Sequence, residues 1–390
     1  MKMIRDGRSP RVFISAGEAS GDLHGSFLVR ALRELEPNAR VSALGGPLLA
    51  RAGADILVDN RELALIGILE VFRKLRRIYA GLRGIREHWR TSRPDLVILI
   101  DFPDFNFLLG RLARRLGIPV LYYIAPQVWA WRRGRTRSLK RFATRLAVIL
   151  PFEPAFFARY GVPVEHVGHP LVDVLATAPS RDQARRRYVP DGDAGFLIGL
   201  LPGSRGNEIK RLLPLLLGAA QRLAAEHPRL RFLLPLANQV NRGPVDQAVA
   251  AGRAPVQVVS GDTYGAIRAC DLVLSASGTV TLETAILGTP LIIIYRVSAL
   301  EAAIARRLIK VHHIGLPNLI AERAICPEIL QQQASAAGIA GAAELLLNDP
   351  ERLERQRRDL ARLIERLGPP GVAHRVAQLA QDLLTHARTH

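Results

Sequence analysis

The chain alternates short, unbroken apolar runs with longer stretches in which apolar residues recur at every third or fourth position. In the first part, RVFISAG, VSALGG, DLVILIDFP, VLYYIAP and TRLAVILPF read as strands. Between them, GDLHGSFLVRALRELEP, IGILEVFRKLRRIYAGLRGIREHWR and FNFLLGRLARRLG carry helical periodicity. Strands that are apolar throughout belong to parallel sheets buried on both faces, and the helices between them supply the cover. The stretch GHPLVDVLATAPSRDQARRRYVPDGDAG, rich in Pro, Asp and Ala, breaks the pattern and predicts a linker with one short helix. The alternation then resumes, with FLIGLLPG, LRFLLPLA, VQVVSG, DLVLSASG and PLIIIYRV as strands. The tail predicts two helices broken at Gly368-Pro369-Pro370-Gly371.

The expected fold is α/β: two Rossmann-like, doubly wound parallel-sheet domains facing a cleft. The boundaries fall at residues 1–170 and 171–350, and helices in 351–390 are free to pack back on the first domain. Open parallel sheets bind ligands at the carboxyl ends of their strands, so the chemistry is expected in strand-to-helix loops.

Composition sharpens this in two respects. A hydrophobic content of 48% excludes a disordered chain. With 54 Lys and Arg against 35 Asp and Glu, the net charge of +19 favours anionic partners: nucleic acid, anionic lipid or a phosphorylated substrate. The apolar runs fall short of the roughly 20 residues a membrane span needs, and the amino terminus has no long apolar segment of the secretory kind. Cys270 and Cys326 are the only cysteines, which suits a reducing compartment.

Two loops are built for anions. In LLPGSRGNEI, Gly203, Ser204, Arg205 and Gly206 lie between an apolar strand and a helix with Glu208 in its first turn. Glycine lets the backbone approach a ligand, a helix start offers free N–H groups, and the arginine fork matches phosphate. An ordinary strand–helix turn is the plainer alternative. In SASGTVTLETAILGTP, Ser277, Gly278 and Thr279 open a second helix. Either Ser277 or Thr279 could simply be its cap. Glu283, further along, could bind a ribose diol, as acidic residues do in dinucleotide folds. Together the two loops point to a nucleoside diphosphate.

The remaining motifs sit in the first half or near the end. AGEASGDLHG is acidic, with Gly17, Glu18, Gly21 and Asp22, and suits sugar hydroxyls better than phosphate. His24 there reads as a base or a structural residue. Asp101 ends the strand DLVILID, where a carboxylate can deprotonate an acceptor hydroxyl, while Asp104 reads as a helix cap. Ile66, Ile68, Leu69, Val71 and Phe72 adjoin Arg73, Arg76 and Arg77, and Trp129 and Trp131 precede an Arg-rich run. Such segments fit an anionic membrane surface, nucleic acid, or a packed helix with a solvated basic face. His312 and His313 have no partner at zinc-ligand spacing, so no metal is expected.

AGEASGDLHG, DFPDFNFLL, APQVWAWRRGR, LPFEPAFF, GHPL, LLPGSRGNEI, SGTVTLE and GLPNLIAE follow one another across nearly the whole chain. This ordered set resembles the lipid-A-disaccharide synthase family, glycosyltransferases of the two-Rossmann GT-B architecture. The resemblance implies transfer from UDP-2,3-diacylglucosamine to 2,3-diacylglucosamine 1-phosphate, with inversion, giving a β-1,6-linked disaccharide 1-phosphate and UDP. It implies Asp101 as the base, Arg205 as a stabiliser of the leaving diphosphate, Ser277, Gly278 and Thr279 as its cradle, and Glu283 on the ribose. Asn318, in the Leu-Pro-Asn loop, would line the donor site, with Gly203, Ser204 and Glu208 nearby. No metal or other cofactor is implied. The acylated substrates imply an enzyme peripheral on the cytoplasmic face of the inner membrane, with an anionic lipid surface as partner. No nucleic-acid partner is expected, since one would leave the phosphate loops and Asp101 unexplained. The reading leaves room for a homodimer. One departure stands out: the family carries a glycine where this chain has Glu322.

Overall fold

The computed structural model describes residues 9–62, 71–131, 133–189, 195–237, 240–298 and 313–388. Ile66, Ile68, Leu69 and His312 lie outside the described residues. Val71, Phe72, Arg73, Arg76, Arg77 and Trp131 are described for backbone alone. The chain forms two compact units, Met1–Pro170 with Pro369–His390, and Leu171–Gly368. The break between the two tail helices therefore coincides with the return of the chain. The helix Pro350–Arg366 belongs to the second unit and the helix Val372–Arg388 to the first.

The first unit has a seven-stranded, wholly parallel sheet. Its strands are β1 (Arg11–Ala16), β2 (Arg40–Gly45), β3 (Asp55–Asp59), β4 (Leu96–Ile100), β5 (Val120–Tyr123), β6 (Arg145–Val148) and β7 (Val164–His166), in the order β3-β2-β1-β4-β5-β6-β7. The helices are α1 (Ala19–Leu35), α2 (Pro47–Arg51), α3 (Val71–Thr91), α4 (Pro103–Arg115), α5 (Val128–Trp131), α6 (Thr136–Phe142) and α7 (Glu153–Ala158). One face of the sheet is covered by α1 and the last helix, through Leu28, Leu32, Val376 and Leu384. The other is covered from α3, α4 and α6, through Trp89, Phe105, Phe107 and Phe142. This double cover explains why β4 is buried along its whole length and apolar at every position.

The second unit repeats the plan with six strands: β8 (Leu197–Leu201), β9 (Arg231–Leu236), β10 (Val256–Ser260), β11 (Leu272–Ala276), β12 (Leu291–Tyr295) and β13 (Glu328–Leu330). They run in parallel in the order β10-β9-β8-β11-β12-β13. The helices α8 (Leu171–Leu175), α9 (Arg181–Tyr188), α10 (Gly206–Glu226), α11 (Arg242–Ala250), α12 (Thr263–Ala269) and α13 (Thr279–Ile286) follow in chain order. The linker stretch thus holds two short helices, α8 and α9, where one is expected.

Three strands, β3, β7 and β13, escape the sequence pattern. All three are sheet edges and only partly buried, so their apolar runs are short, three residues at most. No helix among the described residues is long and apolar enough to cross a membrane.

Both sheets reverse their winding direction once. In the first unit the reversal lies between β1 and β4, in the second between β8 and β11. At such a point two neighbouring loops leave the sheet in opposite directions and open a crevice. The loops there are the ones the sequence singles out: Gly17–Glu18 and Asp101–Phe102 in one unit, Gly203–Arg205 and Ser277–Gly278 in the other.

Candidate active site

At the first crevice the backbone is contorted. Asp101 and Phe102 both have left-handed φ, +43° and +47°, an uncommon setting for residues with side chains. The Asp101 N–H still bonds within the sheet, to the Tyr123 carbonyl at 3.2 Å. Its own carbonyl instead accepts from the Tyr122 hydroxyl at 2.9 Å and from Asn106 Nδ2 at 2.6 Å. Asn106 Oδ1 accepts from the Ser15 hydroxyl at 2.6 Å. Ser15, Asn106 and Tyr122 are fully buried. Burial first, and the neighbouring Glu18 charge second, raise the Asp101 carboxyl against the opposing Phe102 N–H, to a pKa of about 6. A carboxylate so placed is a stronger base than an exposed one and is still ionised at neutral pH.

Residues of the first glycine-rich loop divide in role. Gly17 lies under the Phe102 ring. Glu18 is exposed at the start of α1. Asp22 is buried, and its carboxylate accepts from the N–H groups of Gly46, Leu48 and Leu49 at 2.8–3.1 Å. It therefore holds the start of α2, and the expectation that it lines a cleft is corrected: its oxygens are spent on backbone. Gly21 lies buried in α1, in ordinary contact with Ala16. His24 is buried too, and burial lowers its pKa to about 4.

Asp104 is not the cap of α4. Phe102 holds that position, and the Asp104 carboxylate pairs with Arg135 at 2.9 Å. Trp129 is 7% exposed, and its indole N–H donates to Glu153 at 3.1 Å while Phe152 packs edge-on 5.0 Å away. An indole in that setting is interior, so Trp129 is corrected as a membrane anchor. Glu153, buried and raised to about 7 by desolvation, also accepts from the N–H groups of Ile149 and Leu150.

In the second unit, the loop before α10 closes around its own carboxylate. Glu208 Oε2 accepts from the N–H groups of Ser204 and Arg205, both at 3.3 Å, and Gly203 turns at φ +103° beside it. A Cβ at Gly203 would lie 2.6 Å from that oxygen, so the close approach requires glycine. The Arg205 side chain is 83% exposed and free to meet a ligand apart from a loose contact with Glu208 at 3.4 Å. Across the crevice, Ser277 and Gly278 lead into α13, with no side-chain cap at Gly278 and Thr279 exposed at its first turn. The Ser277 N–H bonds to the Ile294 carbonyl at 2.9 Å and that of Thr281 to the Gly278 carbonyl at 3.1 Å, while the first N–H groups of a helix have no partner within it and suit an anion.

Glu283 is hydrogen bonded to the Tyr264 hydroxyl. Burial raises the Glu283 pKa and the tyrosine bond lowers it; burial and the carboxylate push Tyr264 up to about 12. Sequence inspection misses Tyr264, because nothing in YGAIRAC marks it. It also misses Ser15, Asn106 and Tyr122.

Asn318 has no exposed surface. It donates to the Cys326 carbonyl and to Glu328, and accepts from the N–H groups of Ile325 and Cys326, each at 2.8 Å. All of its hydrogen-bonding capacity is used in bracing residues 315–328, which corrects the expectation that its side chain lines the donor site. Glu322 has φ +58°, a left-handed setting that glycine adopts more readily than a residue with a side chain.

The structure resembles a putative UDP-N-acetylglucosamine 2-epimerase from Listeria monocytogenes over 95% of each chain, with TM-score 0.63 and 15% identity. It also resembles the calicheamicin glycosyltransferase CalG4 over 97% of this chain and 99% of that one, with TM-score 0.62 and 16% identity. At these identities the likeness concerns the fold, and it defines the class: two doubly wound parallel sheets of the GT-B type. The sequence narrows the class further. The family model for lipid-A-disaccharide synthetase matches residues 12–383. The lipid-A-disaccharide synthase of Geobacter sulfurreducens is 44% identical over 381 residues, covering 98% of this chain and 99% of that one. That of Syntrophus aciditrophicus is 45% identical over 377 residues, covering 96% and 98%. The chain belongs to the lipid-A-disaccharide synthase family, the glycosyltransferases of lipid A biosynthesis.

Proposed function

We propose that the chain transfers the sugar of UDP-2,3-diacylglucosamine to the 6-hydroxyl of 2,3-diacylglucosamine 1-phosphate, with Asp101 as general base. The hydroxyl proton passes to Asp101, the oxygen bonds to the anomeric carbon, and the bond from that carbon to the diphosphate breaks, releasing UDP. A single displacement inverts the centre, so the α-linked donor gives a β-1,6-linked disaccharide 1-phosphate. The observation that carries this reading is Asp101 itself, a strained carboxylate at the sheet's switch point with its pKa raised to about 6. In the second unit, Ser277, Gly278, Thr279 and the start of α10 would take the diphosphate, Arg205 the charge developing on it, and Glu283 the ribose diol. Glu208 would keep the Gly203–Arg205 loop in shape for that task.

Both substrates are acylated and the acceptor is anionic, so an anionic membrane surface is the second partner proposed, on the cytoplasmic face of the inner membrane. Exposed Arg111, Arg114 and Arg115 on and at the end of α4, and Arg137, Lys140 and Arg141 on α6, support it, as do the exposed Leu108 and Leu116 beside them. Flotation with vesicles containing anionic lipid, lost when charge is reversed on α4 and α6, tests this part. The chemistry is tested with purified protein in detergent micelles and both substrates, following disaccharide and UDP. Asp101→Ala is expected to lower disaccharide formation about 10²–10⁴-fold while UDP still binds. Undiminished turnover in that variant removes Asp101 from the role.

A further inference from the structure

Proton removal by Asp101 depends on a turn that the chain does not adopt by preference. Two consecutive left-handed residues with side chains persist only where the surroundings hold them. Beside the backbone bonds of Asp101 N–H to Tyr123 and of Asn106 N–H to Phe102, buried side chains converge on one atom, the Asp101 carbonyl oxygen. Tyr122 reaches it from β5 and Asn106 from the first turns of α4. Asn106 is itself oriented. Its Nδ2 faces two carbonyls, those of Ile100 at 3.2 Å and Asp101 at 2.6 Å, while its Oδ1 faces the Ser15 hydroxyl on β1. Turning the amide over would set oxygen against two oxygens, so the donor end stays on Asp101.

We infer that Ser15, Asn106 and Tyr122 are positioning residues for Asp101, fixing the turn from which its carboxylate meets the acceptor hydroxyl; this rests on the reading of Asp101 as the base. They come from two strands and a helix around β4, so the turn is locked to the rigid centre of the sheet and not to a loop. Removing one donor leaves the buried carbonyl half satisfied and lets the turn relax, carrying the Asp101 Cβ with it. A base displaced by about an ångström loses much of its effect without any loss of substrate contacts.

The test compares Tyr122→Phe and Ser15→Ala, each made in the wild-type protein and in Asp101→Asn, by initial rates of disaccharide formation in micelles. In the wild-type background each is expected to lower kcat about tenfold, with KM for the UDP-sugar changed by less than about twofold. In the Asp101→Asn background neither should lower the residual rate further, because residues that act through Asp101 have nothing left to position. The same fractional loss in both backgrounds would mean a general structural role and overturns the inference, as does no loss in the wild type. Wild-type turnover by Asp101→Asn alone overturns the base assignment, and the positioning role with it. Ser15→Ala removes a single hydroxyl and carries the comparison should Tyr122→Phe fail to fold.

Discussion

Gly17 supports the ring of Phe102: a Cβ added there would lie 2.1 Å from the nearest ring carbon. The ring has little freedom to retreat, since Phe102 is held in a left-handed turn and stacks on Phe105 at 5.8 Å. Gly17→Ala is therefore expected to lower turnover at least about tenfold, by displacing the residue next to Asp101. Overpacking of this kind costs about 1–3 kcal/mol. Thermal unfolding and kcat measured on one preparation check both effects. A fully active Gly17→Ala protein would show that Phe102 can move without cost to the site.

Asp22 is expected to matter for stability and little for chemistry. Its carboxylate serves three backbone N–H groups at the start of α2, and Asp22→Ala strands them. The expected loss is about 2 kcal/mol in denaturant unfolding, in line with a lost helix cap plus buried donors left unpaired. At a temperature where the variant is folded, its kcat should stay within about twofold of wild type.

The acid limb of the pH–rate profile should report Asp101. With its pKa raised to about 6, the base form is lost as pH falls through that value, and kcat/KM should drop about tenfold per unit below it. Burial is the main cause and the Glu18 charge the second, so Glu18→Gln should shift the limb to lower pH without abolishing it. The same raised pKa has a stability consequence of opposite benefit. A carboxyl raised above its unfolded value contributes stability that is present below about pH 4 and lost as pH rises through 6. Asp101→Asn should accordingly raise Tm at pH 8 and leave it nearly unchanged at pH 4.

The Tyr264–Glu283 pair predicts a donor-binding phenotype. If Glu283 binds the ribose diol, Tyr264→Phe frees its carboxylate from one partner and should weaken UDP binding about three- to tenfold, with a smaller change in kcat. Calorimetry with UDP and 2′,3′-dideoxy-UDP separates the cases. Glu283→Gln should erase most of the difference between the two ligands. Equal discrimination in wild type and Glu283→Gln would place the diol elsewhere.

Two buried histidines should make the first unit sensitive to acid. Burial lowers His24 to about 4, while burial and the charges of His24 and His166 lower His169 to about 3. Groups held neutral in this way contribute stability that is complete above about pH 6.5 and is lost as pH falls toward 4 and 3. Tm should fall over that window, and His24→Leu should flatten the fall. A variant whose Tm tracks wild type down to pH 4 would mean His24 titrates normally.

The two-sheet plan was legible along the chain, because strands covered on both faces must be apolar throughout and helices between them must show a three-to-four-residue period. The sequence also marked the four loops at the switch points, since glycine, hydroxyl and charged residues after an apolar run have few other reasons to be there. Asp101, Arg205 and Glu283 stand out as candidates in those motifs, and the ordered motifs identified the family. Tertiary structure alone decided what the neighbouring motif residues do. Asp22, Trp129 and Asn318 look like ligand contacts in the sequence, yet each is turned inward and bonded to backbone or to a buried carboxylate. The partners of Asp101 were equally hidden: Ser15 lies 91 residues from Asn106 in sequence, and Tyr122 lies 21 from Asp101. Spacing along a chain reports the period of a helix or strand. Which strand lies beside which is set by the order β1-β4-β5, and that order places the serine, the asparagine and the tyrosine around one carbonyl oxygen.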